Sequence, residues 1–178
     1  RGPGAAMAVS PAGEAIGSVS GGCVEGAVYE VCQEVLESGV PQTVTYGVSD
    51  NDAFAVGLTC GGTIELFVQR FDPAAPDHLA DLVAAVDAKR STALATIIAA
   101  QGSDLVGRHL LIVDGSAHGG TGDEGLDAAI KDAAGGLLEH GRNQGGHLGE
   151  HGERRMDELS VFVEAFAPAP KMIVFGAI

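Results

Sequence analysis

Hydrophobic and polar positions follow two rhythms along this chain, and the switches between them divide it into elements. Ala6 to Ser10 and Ala15 to Val19 are short β-like runs joined by Pro11-Ala12-Gly13, a turn signal, which predicts a tight hairpin. From Cys23 to Ser38 the period becomes helical: Val24, Val28, Val31, Val35 and Leu36 recur on one side and Gly39 supplies a stop. That helix is entered through Ser20-Gly21-Gly22. Thr43 to Val48 and Thr63 to Arg70 read as strands on either side of an acidic, glycine-containing loop from Ser49 to Gly62. Pro76 to Lys89 is expected to form a second helix with Leu79, Leu82, Val83 and Val86 on one face, and Ala93 to Ala100 an apolar strand.

The same order then recurs. An offset of 102 residues places Gly13 on Gly115, Gly17 on Gly119, Glu37 on Glu139 and Gly39 on Gly141, and superposes Val28, Val35 and Leu36 on Ile130, Leu137 and Leu138. Phe67-Val68 and Phe71-Asp72-Pro73 match Phe162-Val163 and Phe166-Ala167-Pro168 at an offset of 95, so the second copy has a shorter loop. The expectation is an α/β fold with a mixed sheet and helices, built from a diverged tandem strand-strand-helix-strand-strand repeat. Its first repeat spans residues 1–73, a connecting helix 74–92 and the second repeat 93–168. Residues 169–178 read as a linker and the first strand, Lys171 to Phe175, of a further domain. Because Ala93 to Ala100 precedes the second copy, a counterpart strand is expected upstream of Arg1.

Composition narrows the partners. Of 178 residues, 46% are hydrophobic and 19% charged, a globular balance. Ten Lys and Arg against 24 Asp and Glu give a net charge of −14, which repels phosphate backbones and anionic lipid and argues against nucleic-acid or membrane partners. Three cysteines, an odd number, fit a reducing compartment, and a cytoplasmic location is expected.

The candidate chemistry lies where cysteines meet glycine pairs. In Ser18-Val19-Ser20-Gly21-Gly22-Cys23-Val24-Glu25-Gly26, the glycines before a helix let backbone N–H groups approach an anion, and the helix N-terminus favours phosphate or thiolate. A thiol at Cys23 is expected to be nucleophilic there. Thr59-Cys60-Gly61-Gly62 repeats the pairing of cysteine and glycines just before a strand. Cys32 falls half a turn round the predicted helix from Cys23, among Val28, Val31 and Val35, and reads as a core residue. With no C-x-x-C pattern, a structural metal site is not expected. His147-Leu148-Gly149-Glu150-His151 matches the H-x-x-E-H pattern of inverted zinc peptidases, but Gly145, Gly146, Gly149 and Gly152 oppose the helix that chemistry needs, so it reads as a solvated loop. Asp50-Asn51-Asp52 reads as an Asx turn, and Glu65 stands apart from any paired acid. Thr121-Gly122-Asp123-Glu124 reads as an ordinary polar helix cap.

At Arg1-Gly2-Pro3-Gly4-Ala5-Ala6-Met7, at Gly17 to Gly26 and at Gly57-Leu58-Thr59-Cys60-Gly61-Gly62, the chain resembles the XdhC/CoxI family of accessory proteins for xanthine dehydrogenase and carbon monoxide dehydrogenase. The run from Phe162 to Pro168, then Met172 to Ala177, is similar to the junction where that family enters a C-terminal Rossmann-like domain. The resemblance implies a maturation chaperone for molybdenum hydroxylases. Such a protein binds the molybdenum cofactor for transfer, assists its sulfuration with a cysteine desulfurase and its insertion into the apo-enzyme, and has no turnover of its own. On that reading Cys23 and Cys60 face the cofactor or its sulfur, while Ser20, Gly21, Gly22, Gly61 and Gly62 line its site and the glycine N–H groups meet the pterin phosphate. No catalytic or metal-ligating residue is implied. Two alternatives stay open: a thiol-dependent enzyme or persulfide carrier using Cys23, and a non-catalytic interaction domain. Homo-oligomerisation is open as well.

Overall fold

The computed structural model describes residues 2–47, 62–71, 78–101, 104–154, 156–169, 172, 175 and 176. The element order is β1 (Met7–Val9), β2 (Ala15–Gly17), α1 (Glu25–Ser38), β3 (Gln42–Tyr46), β4 (Ile64–Val68), α2 (Leu79–Asp87), β5 (Thr92–Ala100), β6 (His109–Val113), β7 (Ser116–Gly119), α3 (Glu124–His140), β8 (Gln144–Leu148) and β9 (Leu159–Phe166). The α/β class expected from the pattern is the one observed, and all pairings among the described strands are antiparallel.

β5 is the centre of the larger sheet, which runs β7-β6-β5-β9-β8. Its buried run alternates between two sides. Ala93, Ala95 and Ile97 join Leu110, Ile112, Leu159, Val161 and Val163 under Leu126, Ile130 and Ala134 of α3. Leu94, Leu111 and Val113 face the other way, against Leu82 and Ala85 of α2. The two-residue period of a strand thus feeds two cores from one sheet, and α2, sheet and α3 form three layers.

The first half is built differently. Among the described residues β1 pairs only with β2, and β3 only with β4, as two separate two-stranded ladders. α1 holds them together: Val19, Val24 and Val28 form a small buried cluster against which Met7 of β1, Tyr46 of β3, and Ile64 and Leu66 of β4 pack. The tandem duplication is therefore not established by the fold, since one half has a continuous five-stranded sheet and the other does not.

Two details depart from expectation. α2 is shorter than the predicted 76–89, and its inner face is Leu82 and Ala85, whereas Val83 and Val86 are exposed. A small alanine lets the helix sit close on Leu94 and Leu111, so backbone proximity overrides side-chain bulk in choosing the face. The H-x-x-E-H segment is not a single loop: His147 lies in β8 and His151 in the turn after it. His147 Nδ1 meets Asp157 at 2.9 Å, and His151 Nδ1 meets Asp123 Oδ2 at 2.6 Å.

Asp123 is the N-cap of α3, its Oδ1 accepting the Leu126 N–H at 2.8 Å. That hydrogen bond, followed by the one from His151, lowers the Asp123 carboxyl, and Asp123 raises His151 above its usual 6.5. The two shifts set opposite limits. A lowered acid contributes above the ordinary carboxylate range and fails only as pH falls through its depressed value. A raised histidine contributes below 6.5 and fails as pH rises through its elevated value. Thermal stability is therefore expected to fall slightly as pH rises from below 6.5 through the elevated histidine value, and His151→Gln should flatten that slope. A melting series over this range, parent against variant, checks it.

The segment after β4 is tied to the large sheet through His109. Its Nδ1 lies 3.1 Å from Thr96 Oγ1 and its Nε2 3.1 Å from the Gln69 amide, with the Phe71 ring stacked at 5.6 Å between centroids.

Candidate thiol site at the entry to helix α1

The Ser18 to Glu25 segment leaves β2, makes a glycine turn and enters α1. Gly21 and Gly22 have φ of 90° and 115°, left-handed conformations that favour glycine and turn the backbone N–H groups to one side. The group they face belongs to the chain itself. Glu25, in the first turn of α1, folds its carboxylate back over the loop, where five donors meet it. Ser18 Oγ, Ser20 N and Gly21 N donate to Oε1 at 2.6, 2.9 and 3.0 Å. Ser20 Oγ and Gly22 N donate to Oε2 at 2.5 and 2.8 Å. These bonds, led by those from the Ser18 and Ser20 hydroxyls, hold the Glu25 carboxyl far below the usual carboxylate range.

Ser20 extends the arrangement to the cysteine. While its hydroxyl donates to Glu25, its oxygen accepts the N–H of Cys23 at 3.0 Å and of Val24 at 3.1 Å. Val24 stands at the N-cap position with no capping side chain of its own, and Ser20 supplies the acceptor that the helix start needs. Cys23 is half-buried against the Val19, Val24 and Val28 cluster.

The sequence reading offered the N–H groups of Gly21 and Gly22 to a phosphate. In the folded loop both donate to Glu25, so a phosphate reaches them only by displacing that carboxylate. Nor does the flanking sequence supply cations: residues 2–69 contain no Lys or Arg and eight Asp and Glu. Glu25 and Ser18 are the participants that sequence reasoning missed. The available signal was an acid four residues after Gly21, at the helix start, where it can serve as an internal anion.

Cys60 and Gly61 lie outside the described residues, as do Asp50 and Asp52; Gly62 is exposed just ahead of β4. Cys32 is half-buried, and desolvation pushes its thiol up. The helical angle no longer separates it from Cys23, because Cys23 precedes α1 by two residues; both pack against the same valine cluster. Burial, with the charges of Cys32, Glu30 and Glu34 behind it, pushes the Tyr46 hydroxyl up as well. A separate apolar groove of about 370 Å³ lies between α3 and β8, lined by residues such as Ile130, Leu137, Gly145, Gly146 and Val161, and contains none of the loop residues. No cluster of three or more metal-binding side chains occurs among the described residues, and no helix among them is long and apolar enough to cross a membrane.

The fold is similar to that of a solved structure described as a xanthine dehydrogenase from Bacillus halodurans, with a TM-score of 0.56 at 20% sequence identity. The similarity covers 91% of this chain and 43% of that one, so this chain spans less than half of its length. No curated protein matches the sequence. The model of the XdhC and CoxI family matches residues 1–47 and 85–149, which include the whole Ser18 to Glu25 loop and leave Cys60 between the matched stretches. The chain belongs to the XdhC and CoxI family.

Proposed function

We propose that this chain serves as an accessory module for molybdenum hydroxylases, binding the molybdenum cofactor through the thiols of Cys23 and Cys60 and holding it for sulfuration and delivery. Family membership supports the accessory role. The observation that carries the site is the Cys23 loop, where a half-buried thiol is presented by a backbone turn bonded at every N–H from Ser20 to Val24.

The residues fit the cofactor in one respect and not in another. A cysteine sulfur is a soft donor suited to a metal–sulfur centre, and the turn leaves Gly21 and Gly22 exposed for close approach. The pterin phosphate has no partner in this loop while Glu25 occupies it. When bound, the cofactor would supply the metal centre that the client enzyme uses, and this chain's part is to hold and shield it. Within that role Ser20, Gly21 and Gly22 shape the loop around Cys23, and Cys60 with Gly61 and Gly62 supplies the other part of the cofactor site. A cysteine desulfurase is the expected sulfur source and an apo molybdenum hydroxylase the recipient.

The test is retention of isolated molybdopterin, read by mass analysis of the purified protein. Cys23→Ala with Cys60→Ala is expected to weaken retention by about tenfold or more, some 1.4 kcal/mol. Retention equal to the parent's would remove the thiol site. Catalytic turnover of a thiol substrate without a client enzyme would favour the persulfide-carrier reading instead.

A further inference from the structure

Strand register repeats along this chain at the spacing found in its sequence. β3 pairs with β4 from Gln42 opposite Val68 to Tyr46 opposite Ile64, and β8 pairs with β9 from Gln144 opposite Val163 to Leu148 opposite Leu159. Both ends of these ladders are related by the offsets of 102 and 95 residues, so the two registers are the same. Left-handed glycines 102 residues apart end β2 and β7, at Gly17 and Gly119, and cap α1 and α3, at Gly39 and Gly141. Glu25 and Asp127, also 102 apart, each fold back from the helix onto the loop before it. The two stretches matched by the family model end at residues 47 and 149, again 102 apart.

One element has no counterpart. In the second half β5 lies between β6 and β9, antiparallel to both, and α3 packs on all three. In the first half α1 packs on β1 and β4, which hold the places of β6 and β9, and among the described residues no strand joins them. Burial differs accordingly. Leu159, Val161 and Val163 of β9 are 2%, 4% and 3% exposed, whereas Ile64, Leu66 and Val68, at the matching positions of β4, are only half-buried.

We propose that the edges of β1 and β4 receive one apolar strand, antiparallel to both, and that its occupant is the segment of the protein immediately preceding Arg1. The first half then becomes a five-stranded sheet in the order of β7-β6-β5-β9-β8, with the added strand at its centre and α1 resting on three strands. Such a strand pairs the main-chain groups along both edges and covers the apolar side chains of β4. Three observations select the occupant. The offset of 102 places the counterpart of β5, Thr92–Ala100, just ahead of Arg1. The chain enters β1 through Gly4 at φ 90°, as it enters β6 through Gly107 at φ 86°, a conformation suited to reversing the backbone between antiparallel neighbours. A second copy is opposed by charge, since residues 2–69 carry eight acids and no Lys or Arg, and pairing two such halves brings like charges together.

Peptide-resolved hydrogen exchange tests this on residues 1–178 and on the protein extended through its upstream segment. Exchange in β1 and β4 is expected to be at least about tenfold slower in the extended protein, with β5 and β9 unchanged. Equal rates in the two forms overturn the proposal, as does a protein from its natural source whose N-terminal residue is Arg1. Protection of β1 and β4 in residues 1–178 that rises with protein concentration assigns the edges to a second copy, and protection lost on removing residues 170–178 assigns them to that run; either result overturns the proposal. Should the extended protein be insoluble, a synthetic peptide with the sequence of Thr92–Ala100 flanked by lysines is added to residues 1–178. It is expected to slow β1 and β4 by about tenfold, and no slowing beyond that given by a scrambled peptide of the same composition overturns the proposal.

Discussion

Leu126→Ala is expected to lower the free energy of unfolding by about 2–5 kcal/mol, a large share of the 5–15 kcal/mol typical of a domain. Leu126 is 0% exposed in the first turn of α3 and packs in the core that α3 shares with β5, β6 and β9. Truncation there leaves a cavity between a helix and a sheet whose surroundings are fixed on both sides, so little collapse can offset it. The Asp123 cap is kept, because its bond is to the Leu126 main-chain N–H, so the loss reports packing alone. Urea unfolding of parent and variant measures the loss. Val83→Ala, on the exposed face of α2, is the control and should change stability by no more than about 0.5 kcal/mol. Equal effects at the two positions would mean that the α3 face of the sheet is not the main core.

The second large effect is expected from Gly17→Ala. Gly17 ends β2 at φ 85°, and an added Cβ would lie 2.4 Å from the Ala6 carbonyl oxygen, a main-chain atom that cannot swing away. The left-handed conformation alone costs an alanine about 1–3 kcal/mol, and the clash adds to it. The damage should also reach the site. The same Ala6 oxygen accepts the Ser18 N–H at 3.0 Å, and Ser18 is a donor to Glu25, so displacing Ala6 loosens one end of the thiol loop. Gly26→Ala gives the opposite sign. That glycine lies within α1 with nothing near its prospective Cβ, and alanine there should stabilise by about 0.5–1 kcal/mol. Paired melting curves distinguish the two, and a destabilised Gly26→Ala would count against the described course of α1.

Much of this architecture could be read in the sequence because it rests on local rules. Val28 and Val35 in α1, and Ile130 in α3, are buried where their helical spacing puts them, and Gly39 and Gly141 end those helices in the left-handed conformation. The run from Ala93 to Ala100 is the central strand, and near-continuous burial from Thr92 to Ile97 explains why it carries no polar alternation. What could not be read depends on contacts between distant residues. Nothing local tells β5 to take β9 as one neighbour and β6 as the other. Nor does the pattern of α2 reveal that Ala85 rather than Val83 faces inward. The site divides in the same way. Cysteine and glycine pair mark the loop, but a glycine turn before a helix has one appearance in sequence whether its anion is foreign or its own. Only the backward reach of Glu25 decides between them.

The separation of β1–β2 from β3–β4 bears on how the molecule breathes. A lone two-stranded ladder is marginal in water, and here each depends on α1 and a cluster of three buried valine side chains for its hold. Openings that release Ser18 to Val24 are expected to cost less than openings of the five-stranded sheet, although the β3–β4 ladder stays tied to that sheet by the Thr43 hydroxyl on the Ile98 carbonyl and by Gln69 and Phe71 on His109. Ligand or partner binding that orders both ladders at once would spend part of its contact energy on that ordering, making affinity at Cys23 sensitive to how firmly α1 clasps the two hairpins.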